Sequence, residues 1–354
     1  MSFFLFLLNT QPMKMKLSTL TLLAAAAAAA AAPPPHPGPI IPIHTFGTNV
    51  FVENLAVRSN GRLLVTSMSV PHLYQIDPSL PSAAAEIIHT FANITGITGI
   101  VETFVRDKFA LITGTFDLAA TRAIPGTLAL WTVDLNRNPP EISLVAHIPD
   151  SPILNGLAAH PTNSNILLGA DSALGAIWRI HLTTGTHGIA ISSPEYFTPT
   201  GTVPGTNLGI NGIRTSLSRG GNARGEVYFT NSARGLFGKV AIDALGNQLG
   251  DIKILSHASD VGVIYDDFAL DINRGGQGEV WIASHPSQAV RVTISSGSGS
   301  GQQFVVNDTA LLKNPTSAAF GRGSKKQERT LYITNGGEFS GNDLINGGVV
   351  AIEV

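Results

Sequence analysis

The sequence predicts an all-β fold, a six-bladed β-propeller with four antiparallel strands per blade, and three observations carry that prediction. The first is a recurring phrase: a polar residue opens an apolar run, a turn follows, and a second apolar run returns. Glu53-Asn54-Leu55-Ala56-Val57 with Leu63-Leu64-Val65-Thr66-Ser67 is one copy, and Asp266-Asp267-Phe268-Ala269-Leu270 with Val280-Trp281-Ile282-Ala283-Ser284 is another. The second is spacing. Copies open at Glu53, Thr98, Asn155, Asn211, Asp266 and Thr316, about 45 to 57 residues apart, the period of four-stranded propeller blades. The third is a displaced strand. The last repeat shows three strands before Val354, whereas Ile43-His44-Thr45-Phe46 stands before Glu53 as Ile88-His89-Thr90-Phe91 stands before Thr98. That N-terminal strand is expected to pair with the last blade and close the ring, leaving no long open edge.

Taken in order, residues 1–32 read as a secretory signal peptide. Lys14 and Lys16 form a basic start, Leu17 to Ala32 is apolar or small throughout, and Met13 or Met15 is an alternative start. The alanine-rich run is short and weakly hydrophobic for a membrane anchor. Residues 33–42 form a proline-rich leader, and the propeller is expected over 43–354. Asn93-Ile94-Thr95 and Asn307-Asp308-Thr309 are glycosylation sequons, in keeping with a secreted chain. Within each repeat the strands are runs of β-branched and aromatic residues bounded by Gly, Pro, Asn and Ser. Third strands follow at Leu73 to Asp77, Leu128 to Asp134, Ile177 to Ile180, Lys239 to Asp243, Val290 to Thr293 and Val349 to Ile352. Ser295 to Gly301 reads as a solvated loop.

Composition narrows the function. Charged residues make up 13% of the 354 and the net charge is −2, so a basic nucleic-acid footprint is absent. The 44% hydrophobic content and 37 glycines suit many short buried strands joined by tight turns. There are no cysteines, which excludes thiolate metal sites and cysteine nucleophiles. No nucleophile elbow, phosphate-binding loop or paired-histidine zinc motif is present.

In a meandering blade the innermost strand starts at the face of the disc where the second strand ends. The six openings therefore crowd one channel mouth with the second-strand ends Ser67, Gly114, Asp171, Asn231, His285 and Asn335. Capping of turns and backbone groups accounts for any single polar residue there. An aligned column of two carboxylates and two amides asks for more. Glu53, Asp266, Asn155 and Asn211 offer hard oxygen donors that suit Ca²⁺ or Mg²⁺. His285 could transfer protons. Asn155, Asn211, Asn231 and Asn335 are candidate hydrogen-bond donors to a substrate, with Asp171, Thr98 and Thr316 beside them. Adjacent strand residues face opposite ways, so one of Asp266 and Asp267 is expected to face the channel. Alignment with Asn155-Gly156-Leu157 favours Asp266.

Glu53, the Asn155-Gly156-Leu157-Ala158 phrase and Asp266 to Asp271 resemble the blade motifs of the senescence-marker-protein/gluconolactonase family. That resemblance implies one divalent ion in the channel, with Glu53, Asn155 and Asp266 as ligands and Asn211 nearby. The chain lacks the Asn-Asp-Gly segment by which lactonases of that family bind sugar lactones, which weighs against that substrate. Other phrases resemble a fungal branch of secreted propellers. They include Glu53 to Arg58, Ala170-Asp171-Ser172, Phe229-Thr230-Asn231-Ser232 and Pro315 to Gly323. This branch includes hetero-Diels–Alderases of tropolone–sesquiterpenoid biosynthesis. It implies joining of a tropolone or polyketide quinone methide to a humulene-type alkene, giving a dihydropyran meroterpenoid.

Such a cycloaddition needs no cofactor, only small-molecule polyketide and terpenoid partners held in contact, and proximity can supply up to ~10 kcal/mol. Glu53, Asp266 or His285 could assist loss of water from an alcohol precursor. Two other readings stay open: a divalent-metal-dependent lactonase or esterase, and a propeller that binds a ligand without catalysis.

Overall fold

A computed structural model describes residues 37–81, 83–200, 206–218, 224–258, 263–272, 278–294 and 302–354. The expected signal peptide and the Ser295 to Gly301 loop lie outside these residues. Six four-stranded antiparallel sheets form the six blades. The innermost strands are Val52–Val57, Gly96–Glu102, Leu154–Ala159, Ile210–Leu217, Ile264–Ile272 and Pro315–Phe320 for blades 1 to 6. Blade 6 takes its outer strand from the N-terminus: Ile40–Thr45 pairs antiparallel with Gly348–Glu353, Ile40 opposite Ile352 and Thr45 opposite Gly348. The displaced strand thus closes the ring as the sequence predicts. It begins at Ile40, three residues ahead of the expected boundary at 43, and Pro42 sits at a register shift. Proline lacks the ladder N–H, so an edge position beside an irregularity is where a strand tolerates it.

Burial follows strand position. The second strand of blade 1, Leu63–Ser67, is buried along its whole length, whereas its outer strand, Ala85–Thr90, is partly exposed throughout. The core lies between blades rather than within one. Trp281 of blade 5 packs with Leu331, Ile333 and Ile352 of blade 6, and Phe197 meets Phe229 edge-on at 4.9 Å between blades 3 and 4. Burying one such side chain contributes about 1.5–3 kcal/mol, and the contacts recur around the ring.

Each innermost strand carries an irregularity at its opening phrase. In blade 1 Val52 pairs with Ser67 and Leu55 with Val65, three residues against two. The same extra residue appears in blades 2 to 5, and blade 6 shifts between Pro315 and Ser317. A bulge breaks the alternation of side chains. Hence the expectation that only one of Asp266 and Asp267 faces the channel is corrected. Asp267 also points inward, reaching Asn54 of blade 1, Ser317 of blade 6 and Arg214 of blade 4. In blades 2, 3 and 4 the second bulge residue is Gly99, Gly156 or Gly212. A Cβ there would lie 2.4 Å from Asn155 O, 2.5 Å from Asn211 O and 2.2 Å from Asp267 Oδ1 respectively. Only glycine lets neighbouring blades approach this closely.

Candidate functional site

A cavity of about 620 Å³ opens at the mouth where the innermost strands begin. Its floor is Glu53, Asn155, Asn211 and Asp266, with His285 beside Asp266; Phe51, Met68, Ile153, Leu208 and Ile264 supply apolar wall. The bulges place the floor. In blades 1, 3, 4 and 5 the first polar residue of the phrase leaves the ladder there and lines the cavity.

Glu53 and Asp266 are almost fully buried, at 5% and 9% exposure. Burial first, then the charges of Asp266 and Asp267, push the Glu53 carboxyl well above the usual carboxylate range. A hydrogen bond from Asn155 opposes this only in part. Burial also raises Asp266, against the pull of the adjacent imidazole. His285 Nε2 stands 2.9 Å from Asp266 Oδ2 and is part-exposed. The two acids therefore differ in use. Glu53 holds its proton to higher pH than an ordinary carboxyl and can donate a hydrogen bond, while His285 with Asp266 forms a pair able to accept a proton.

Asn211 presents an acceptor rather than the expected donor. Ser232 Oγ donates to Tyr265 O at 2.7 Å, so toward Asn211 it can only accept, and it takes Asn211 Nδ2 at 3.0 Å. That fixes the amide orientation and leaves the buried Asn211 Oδ1 without a partner.

Beneath this floor a second layer is fully engaged. Asp267 accepts from Asn54 Nδ2 at 2.8 Å and from the Phe268 N–H at 2.7 Å, and pairs with Arg214 Nη1 at 2.9 Å. Ser317 Oγ lies 3.0 Å from Asn54 Oδ1. The second bulge residues of blades 5, 6 and 1 thus lock to one another where blades 2 to 4 carry glycine.

The remaining candidates sit outside the floor. The Thr98 and Thr316 hydroxyls donate to the next blade, to Leu154 O at 2.7 Å and Val52 O at 3.0 Å. Asn231 Nδ2 donates to Tyr196 O, and Asn335 Nδ2 to Leu311 O. Asp171 accepts from Ser151, Trp178 and the Leu174 N–H. Each of these three side chains at a second-strand end holds a loop that enters or leaves the strands. Their polar atoms are directed at backbone or buried neighbours, which corrects the expectation that they contact substrate. Asn93 and Asn307 are exposed, away from the cavity.

Sequence reasoning missed the walls and the lower layer. Phe51 and Met68 are ordinary apolar residues in sequence, and Arg214 lies three residues past an opening. The available signal was doubling: Glu53-Asn54, Asp266-Asp267 and Thr316-Ser317 are polar pairs, whereas the other openings pair with glycine.

For a divalent ion the donor chemistry fits. Two buried carboxylates, the Asn155 amide and the unpartnered Asn211 Oδ1 are hard oxygens in a space whose negative potential a cation would relieve. Among the described residues no three His, Asp or Glu side chains form a metal-holding group, so amide oxygens would complete the set.

The chain is 27% identical over 320 residues to a protein of Phoma sp named "Putative hetero-Diels-Alderase", covering 82% of this chain and 85% of that one. A like-named protein of Sarocladium schorii matches at the same identity, over 82% and 77%. The chain is a six-bladed propeller with hetero-Diels–Alderase-like sequence relatives. Among solved structures, a luciferin-regenerating enzyme superposes with a TM-score of 0.62 at 14% identity, over 90% of this chain and 96% of that one. The calcium-binding protein regucalcin of Agrobacterium tumefaciens gives 0.58 at 14%, over 89% and 93%. These two likenesses extend to the fold. No protein-family model matches the chain.

Proposed function

We propose that this propeller is a pericyclase of the hetero-Diels–Alder type, acting on small polyketide and terpenoid reactants. One observation carries the reading: a single cavity joins extended apolar walls to a floor with a proton-holding carboxyl. Its volume of about 620 Å³ lies well inside the usual range for ligand pockets, roughly 300–1,000 Å³, and leaves room for two reactants in contact. The sequence relatives support the reaction class.

In this reading an oxygenated heterodiene, such as a tropolone quinone methide, sets its carbonyl against Glu53. The protonated carboxyl donates to that oxygen and draws electron density from the diene. Asn211 Oδ1 accepts from a hydroxyl of the same ring. A humulene-type alkene lies along Phe51, Met68 and Leu208. One C–C and one C–O bond form together, and no proton moves. Where the diene arises from an alcohol, Glu53 protonates the departing hydroxyl, the His285–Asp266 pair takes the enol proton, and that proton passes back to Glu53 through the released water, so the carboxyl is protonated again for the cycloaddition. In place of the Glu53 proton, a divalent ion would be held by Glu53, Asn155 and Asp266 and would supply Lewis-acid polarisation of the ligand oxygen where the carboxyl otherwise donates.

The test is incubation of the purified protein with a quinone-methide precursor and humulene. Dihydropyran product with fixed stereochemistry above the uncatalysed background is expected, and a racemic product at background rate overturns the reading. A second reading, a divalent-metal-dependent lactonase or esterase, is favoured by the unpartnered Asn211 oxygen. It requires ester or lactone hydrolysis that chelation abolishes. A third reading, ligand binding without catalysis, takes over if the cavity binds these compounds and turns over none. We propose secretion as well, with Asn93 and Asn307 as exposed glycan acceptors.

A further inference from the structure

The connections between second and third strands differ around the ring. In blades 1, 3, 4 and 5 they are short, as from Asp171 to Ala176 and from Asn231 to Leu236. In blades 2 and 6 they carry extra hairpins, Phe116–Asp117 with Arg122–Ala123 and Glu338–Ser340 with Asp343–Ile345. Second strands end at the cavity mouth, so both hairpins stand over it. Blades 2 and 6 both border blade 1, which places them on either side of Glu53. Each turns an apolar side chain to the cavity, Leu118 from one and Phe339 from the other.

Phe339 is 74% exposed, more than any other large apolar side chain among the described residues. It is nevertheless not on a loose tip. Glu338 pairs with Lys313 at 3.0 Å and accepts from Asn346 at 2.9 Å. Asn49 joins the opposite strand through the Leu344 N–H at 3.0 Å and the Leu344 carbonyl at 2.7 Å. An aromatic ring held in place and left uncovered at the rim of an apolar cavity is a surface awaiting an apolar ligand.

We infer that Phe339, which lines the same mouth as Leu118, is a specificity-determining residue that grips the hydrocarbon reactant. This rests on the pericyclase reading. The lining of the cavity supports it, because the carboxyls, the imidazole and the unpartnered amide oxygen lie at the floor, while the hairpins bring Leu118, Ala119 and Phe339 to the rim with Thr121 as their one polar side chain. The hydrocarbon therefore sits above the oxygenated ring, which fixes the order of stacking and the face from which the alkene approaches.

Calorimetry on the full-length protein tests this, with humulene as the apolar probe and tropolone as the oxygenated one. Phe339→Ala is expected to weaken humulene binding by about ten-fold, to leave tropolone binding within error, and to leave the melting temperature unchanged. Phe339→Leu recovers most of the loss. In turnover the alanine variant raises KM for the alkene and erodes product stereochemistry. Equal weakening of both probes, or no change in either, overturns the inference. The split is readable from binding alone. If Phe339→Ala shows the split while the wild-type protein turns nothing over, the pericyclase reading fails and the apolar subsite stands. A turning-over enzyme indifferent to Phe339 does the reverse.

Discussion

Asp266 and Asp267 are chain neighbours, both face the channel, and they live in opposite circumstances. Asp267 has a guanidinium, an amide and a backbone N–H around its carboxylate. Asp266 has one imidazole, the backbone N–H of Asp267 and a second buried acid close by. The lower layer joins four blades into one satisfied network, while the upper layer leaves an oxygen without a partner and a carboxyl far from its ordinary range. A buried charge with a full set of partners is architecture. A buried charge kept short of partners, beneath an open cavity, is held ready for something that arrives.

The largest expected effect comes from breaking the lower layer. Asp267→Asn leaves Arg214 beside a neutral group inside the ring. Loss of one partner from a buried ion pair typically costs about 3–5 kcal/mol. Urea denaturation should show a loss of that order, whereas Asp266→Asn, which removes a charge the fold does not favour, should lose little. Equal losses in the two variants would erase the distinction between the layers.

Glu53→Gln sharpens the same contrast through pH. Below the ordinary glutamate value of roughly 4.3 both folded and unfolded chains hold the proton, and the side chain gives no pH dependence. As pH rises through that value the unfolded chain ionises while the native carboxyl resists, because its own value is raised. Native stability therefore falls until the pH passes the raised value, by about 1.4 kcal/mol for each unit of difference. The glutamine variant should match wild type near pH 4 and exceed it at neutral pH in thermal melts. It should also form cycloadduct about 10²-fold more slowly where Glu53 acts as the proton donor. Higher stability with lost activity is the signature of a functional strain; a variant less stable at neutral pH would show that Glu53 is structural.

The ring was legible because repetition is insensitive to detail. Six polar openings at blade spacing and one strand out of place determine the architecture before any side chain is located. The floor was legible for the same reason, since Glu53, Asn155, Asn211 and Asp266 share one repeat position. What escaped is whatever depends on departures from the repeat. A bulge is invisible to a two-residue period, so Asp267 was expected to face away. Asn211 reads as a donor until Ser232, twenty-one residues on and already committed to Tyr265, turns its amide around. Phe339 lies in an insertion that no repeat aligns.

The smallest effect separates the openings that carry chemistry from those that carry the ring. Thr98 and Thr316 occupy the same repeat position as Glu53, yet their hydroxyls cross to the neighbouring blade and accessibility is nearly nil. Thr98→Val keeps the shape and deletes one interblade hydrogen bond, leaving Leu154 O without that donor. A cost of about 1 kcal/mol is expected, read as a lower denaturation midpoint with unchanged slope. Turnover and binding at the cavity should stay as in wild type, because the removed hydroxyl points along the ring and not into the mouth. A variant with normal stability and altered substrate affinity would move Thr98 from the frame to the floor, and with it the boundary drawn between the two.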